Sequence, residues 1–106
     1  MLDLQGRTLG FLVAAGPAAP GFGYAIRLAA AALAQGCHVQ MFCVDEAVRG
    51  LPDPRLQALR KAGLRLHACA WSGRRHQIEV GGWASPAGLA LASALVAHSD
   101  RFLAFT

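Results

Sequence analysis

Apolar residues fall in short blocks punctuated by glycine, proline and charge, and their period changes from block to block. Thr8 to Ala14 is a continuous apolar run, as expected for a strand buried on both faces. Ala15 to Gly21 is a loop by composition. Helical spacing then predicts a helix from about Phe22 to Gln35, with Phe22, Ile26, Ala29, Ala30 and Leu33 on one face and Gly36 as its stop. His38 to Val44 alternates as a strand does, Val39, Met41 and Cys43 facing one way and Gln40, Phe42 and Val44 the other. Asp45 to Gly50 is expected to form one helical turn. Asp53-Pro54 has the form of an N-cap with a first-turn proline, and it opens a helix over Pro54 to Ala62 that points Leu56 and Leu59 inward and ends at Gly63.

The next block, Leu64 to Trp71, predicts a strand that carries Cys69 to its end, where Ser72-Gly73 breaks it. Arg65, His67, Cys69 and Trp71 share one face, and Leu64, Leu66, Ala68 and Ala70 the other. His76 to Trp83 has no period. Ser85-Pro86 repeats the cap-plus-proline signature and predicts an apolar helix to about Ala97, before a closing strand over Asp100 to Phe105. The order β-α-β-α-β-α-β describes a single three-layer α/β/α domain over residues 1–106, with a mainly parallel central sheet of four to five strands.

Composition adjusts this picture in two places. Hydrophobic residues make up 55% of the chain and charged ones only 15%, a surplus expected to be buried against other subunits. The net charge of +4 invites a nucleic-acid reading, yet the basic residues are scattered, Arg60-Lys61 and Arg74-Arg75 being the adjacent pairs, and no aromatic RNA-binding motif accompanies them. A basic surface suited to acidic protein partners is the expectation, with no direct nucleic-acid contact. A membrane span needs about 18 or more apolar residues, and Arg27 interrupts the nearest candidate, Ala25 to Leu33. The opening Met-Leu-Asp-Leu-Gln-Gly-Arg lacks the features of a signal peptide, so a cytoplasmic location is expected.

Candidate chemistry centres on cysteine. Cys37, Cys43 and Cys69 form no C-x-x-C pair, and His38, His67, His76 and His98 show no zinc-ligand spacing with them, so neither a disulfide framework nor a zinc site is expected. Gly16-x4-Gly21-Phe22-Gly23 has the glycine spacing of a phosphate loop without its Lys or Ser/Thr, which favours a structural turn and leaves an anion or nucleotide site as a rival. Asp45-Glu46 are adjacent acids expected to point apart into solvent. Cys37 and Cys43 fit packing positions. Cys69 differs, because it stands where a parallel strand ends, the edge at which ligands collect. Arg74 and Arg75 follow within a turn, and positive charge favours the thiolate. His67 lies on the same strand face, about 7 Å away, as a neighbour that could modulate the thiol. A small buried hydrophobe is the competing reading of Cys69, and the residues alone leave both open.

In their order along the chain, these blocks resemble the small sulfur-relay proteins of the DsrE/TusD type, in the DsrE/DsrF-like family. The resemblance rests on the first strand, its Gly-Pro loop and the alanine-rich helix ending Gln35-Gly36-Cys37-His38-Val39. It rests also on Phe42-Cys43-Val44-Asp45-Glu46-Ala47-Val48, on Cys69 with Arg74-Arg75, and on the tail into Asp100-Arg101-Phe102-Leu103-Ala104-Phe105. It implies a DsrE-like fold and a sulfurtransferase function in which Cys69 holds sulfane sulfur as a persulfide and Arg74 and Arg75 stabilise it, a chemistry that needs no metal and no organic cofactor. His67 is not part of that motif. The implied partners are small donor and acceptor proteins of the TusA or DsrC kind, within a homo- or hetero-oligomer, trimer or hexamer. The implied pathway is sulfur oxidation or tRNA thiolation. A chain keeping the fold as a non-catalytic subunit of such an oligomer is the alternative.

Overall fold

The computed structural model describes residues 4–106; residues 1–3, on which the reading of the N-terminus partly rests, lie outside the described residues. Five strands form one sheet: β1 (Thr8–Val13), β2 (His38–Cys43), β3 (Arg65–Cys69), β4 (Ser85–Ala87) and β5 (Arg101–Phe105). They lie in the order β4-β3-β2-β1-β5, and every pairing is parallel. Four helices connect them: α1 (Pro20–Ala34), α2 (Pro54–Lys61), α3 (Ala70–Arg75) and α4 (Leu89–His98). The chain steps outward from β1 to β4, and then α4 carries it back past β1 to β5. Right-handed crossovers require that reversal to place α4 on the sheet face opposite α1 and α2.

The strand period sorts the core accordingly. Phe11, Val13, Val39, Met41, Cys43, Leu66 and Ala68 meet Phe22, Ala25, Ile26 and Ala29 of α1 and Leu56 of α2 in the main core. The intervening positions, Leu12, Phe42, Cys69 and Phe102, face Leu91, Ala92 and Leu95 of α4 in a smaller one. The division of β2 matches the alternation in its sequence. Close approach explains one glycine: a Cβ at Gly50 would run into the Phe22 ring, so the 3-10 turn Asp45–Gly50 can lie against α1 only without a side chain there. Gly63 ends α2 with φ +121°, a conformation other residues rarely adopt.

Three boundaries differ from expectation. Helix α1 starts at Pro20, with proline in its first turn, so Gly21 belongs to the helix rather than to the loop. Strand β3 stops at Cys69, and Trp71 leaves the strand face because α3 begins at Ala70. The largest correction falls on Ser85-Pro86, which does not open a helix. Ser85–Ala87 is a strand paired with His67–Cys69, and α4 begins after Gly88. An edge strand has one side unpaired and accommodates a proline, which is why the same dipeptide serves either role.

Among the described residues, no helix is long and apolar enough to cross a membrane.

Candidate functional site

Cys69 is both the last residue of β3 and the N-cap of α3. Its Sγ accepts a hydrogen bond from the Ser72 backbone N–H at 3.4 Å. Ser72 is itself buried, and its Oγ accepts from the Asp45 backbone N–H at 2.9 Å, tying α3 to the turn that leaves β2. Gly73 allows α3 to sit this deep, since a Cβ there would stand 2.6 Å from Val80 Cγ1 and 2.9 Å from the Ile78 carbonyl oxygen.

The Cys69 residue is only 7% exposed, but it lines an open cavity of about 410 Å³. Trp71, Arg74, Pro86, Ala87 and Leu89 line it as well, a largely apolar wall with one cationic side chain. Trp71 and Leu89 are 60% and 77% exposed, so the rim of the cavity presents large apolar groups to solvent. The strand pattern placed Trp71 on the Cys69 face and did not reach Leu89; the helical period starting at Ala70 is what carries Trp71 to the rim.

The two arginines part company. Arg74 lines the cavity, whereas the Arg75 guanidinium lies over the Trp71 ring at 5.6 Å and 3.7 Å from Asp45 Oδ1. Successive helical residues are about 100° apart, so neighbours in sequence address different surfaces. His67 stands on the Cys69 side of the sheet, and its Nε2 pairs with Gln40 Oε1 at 3.1 Å. Burial, and then the charge of Arg65, hold its imidazole below the usual histidine range, so it is neutral at pH 7.

The other two thiols sit in different surroundings. Burial pushes the Cys43 thiol up to about 12, which leaves it protonated and inert at neutral pH. Cys37 Sγ donates to the Leu4 carbonyl oxygen at 3.3 Å. The glycine-rich loop carries a carboxylate residue beside it: Glu46 Cβ would be 3.0 Å from a Cβ on Gly16, and Glu46 shares a cavity wall with Pro17 and Ala18. Arg49 lines the same wall but is ion-paired with Glu46 at 2.8 Å, so the loop offers a phosphate no uncommitted cation on this wall. Asp45 and Glu46 do not point apart. Both face His76, with Asp45 Oδ1 3.5 Å and Glu46 Oε1 3.9 Å from His76 Nε2.

No protein-family model matches the chain, and no curated protein sequence matches it. A solved counterpart of the fold exists in the crystal structure of the ychN protein from E. coli, which aligns with a TM-score of 0.77 over 95% of this chain and 100% of that one. The two share 14% sequence identity, a level at which the likeness is one of fold. An all-parallel five-stranded sheet, its helices on both faces and this alignment together give the chain a DsrE-like fold.

Proposed function

We propose that the protein is a cytoplasmic sulfur carrier that holds sulfane sulfur on Cys69 and passes it between small partner proteins. The observation that carries this reading is the placement of Cys69, at the carboxyl end of a central-sheet strand, facing an open cavity beside Arg74. The reaction is thiol exchange. The Cys69 thiolate attacks the outer sulfur of a donor persulfide, a new S–S bond forms on Cys69, the donor S–S bond breaks, and the donor departs as its thiolate. Transfer to an acceptor repeats the exchange in the other direction. Each step moves one sulfur atom without an external oxidant or reductant.

The residues around the sulfur suit these steps. The Ser72 N–H offers a hydrogen bond to the anionic sulfur, and Arg74 supplies positive charge on the cavity wall. Arg75, held over Trp71, adds charge at the rim. His67, neutral and paired with Gln40, adds no further cation. Trp71 and Leu89 form an apolar landing surface on which a carrier protein of the TusA or DsrC kind could bring its own sulfur to Cys69. The exposed apolar side chains of α4 suit assembly into a homo- or hetero-oligomer, trimer or hexamer.

The low exposure of Cys69 favours a second reading, a non-catalytic subunit whose partner chain carries the active cysteine. Intact-mass spectrometry after incubation with a sulfane-sulfur donor separates the two. The carrier reading expects a gain of about one sulfur, ~32 Da, on the wild type and none on Cys69→Ser. No gain from several donors, or an equal gain without Cys69, would leave the structural-subunit reading standing.

A further inference from the structure

We propose that Asp45, Glu46 and His76 form a binding site for a divalent first-row transition-metal ion, with one oxygen from each carboxylate and Nε2 of the imidazole as ligands. The starting point is His76. Its side chain is only 7% exposed, and its Nε2 is buried without a hydrogen-bond partner. A buried polar atom left in that state is costly, and native proteins rarely carry one without a use for it.

The imidazole nitrogen is aimed at two carboxylates. It lies 3.5 Å from Asp45 Oδ1 and 3.9 Å from Glu46 Oε1, and the three ligand atoms fall within 4.8 Å of one another. An ion bound at about 2.0–2.2 Å from each donor separates those donors by roughly 3–4 Å, so only a small inward movement is needed. Direct hydrogen bonding is the weaker account, since neither separation falls in the range of a nitrogen–oxygen hydrogen bond.

Neighbouring groups already orient the carboxylates. Arg49 Nε holds the other oxygen of Glu46, Oε2, at 2.8 Å and leaves Oε1 turned toward His76. The Asp45 backbone is fixed by its N–H bond to Ser72 Oγ. Arg75 faces the same Asp45 oxygen at 3.7 Å, but it is more than half exposed and free to yield to an incoming ion. Two carboxylates balance a divalent charge, and the imidazole shifts preference from Mg²⁺ or Ca²⁺ toward Zn²⁺, Fe²⁺ or Mn²⁺. Sequence spacing conceals the set, because residues 45 and 46 follow β2 and residue 76 ends α3. Parallel pairing of β2 with β3 brings them together.

Equilibrium dialysis of the full chain against Zn²⁺, with affinity from chelator competition, tests the site. The expected result is about one ion per chain, retained in Cys69→Ser and weakened at least tenfold in both His76→Gln and Glu46→Gln. Glu46 is half exposed, so its variant reports on binding even if the buried histidine proves necessary for folding. Absence of stoichiometric Zn²⁺, an unchanged affinity in Glu46→Gln, or loss of the ion in Cys69→Ser would each overturn the proposal. The sulfur reading fails independently of this one: Cys69→Ser removes the sulfur gain and keeps the metal, while Glu46→Gln does the reverse.

Discussion

Gly73 has no chemistry of its own, yet it decides where the thiol sits. Its missing side chain lets α3 close on Val80 and the Ile78 carbonyl, and α3 in turn places the Ser72 N–H against Cys69. Gly73→Ala should therefore destabilise the fold by about 1–3 kcal/mol in urea unfolding, the usual cost of overpacking. On the carrier reading, the same change should slow persulfide formation on Cys69 even where the protein remains folded. At this scale the sequence was informative about single positions and poor about convergence. Cys69 at a strand end was legible from the break at Ser72-Gly73. The meeting of Asp45, Glu46 and His76 was not, since nothing local couples residues about thirty positions apart. Arg74 and Arg75 looked equivalent until the helical rotation between them was known.

Among the elements, α2 is the one whose local code is complete. Asp53 caps it, Oδ1 accepting from the Arg55 N–H at 2.8 Å, and Pro54 follows in the first turn. Hydrogen bonding from the Arg55 side chain, the largest influence, holds the Asp53 carboxyl below its ordinary 3.8. A carboxyl whose value is depressed on folding adds stability that is fully present above its unfolded value and is lost as pH falls through the folded one. Asp53→Ala should thus cost about 1 kcal/mol at pH 7. That difference should shrink toward zero as unfolding curves are taken from about pH 4 downward. The Arg55 pairing adds little to this, because its guanidinium is largely exposed. The contrast with Ser85-Pro86 shows what a local code lacks. Both dipeptides combine a capping residue with proline, but Ser85 is drawn into the sheet by pairing opposite His67. That long-range contact is invisible in a window of a few residues.

For the molecule as a whole, the two faces of the sheet are unequally covered. Helices α1 and α2 lie over a deep core, while α4 buries Leu95 alone and leaves Leu89 and Val96 mostly exposed. Their order and the parallel sheet were legible, because crossover lengths and strand periods are properties of the chain. The imbalance was legible only as a surplus of alanine and other apolar residues. If α4 joins subunits, sedimentation velocity should find the wild type as an oligomer and Leu89→Asp with Val96→Asp as a smaller species of unchanged circular dichroism. A wild-type monomer would rule out α4 as an interface between copies of this chain. One consequence follows from β4, the three-residue edge strand whose Ala87 pairs with Cys69 and helps wall its cavity. Short edge strands are among the first parts of a sheet to release by sub-global opening, at a small fraction of the free energy of unfolding. On the carrier reading, uncovering Cys69 would need only the detachment of one strand end, and substitutions at residues 85–88 should change the rate at which a thiol reagent labels it without touching the cysteine.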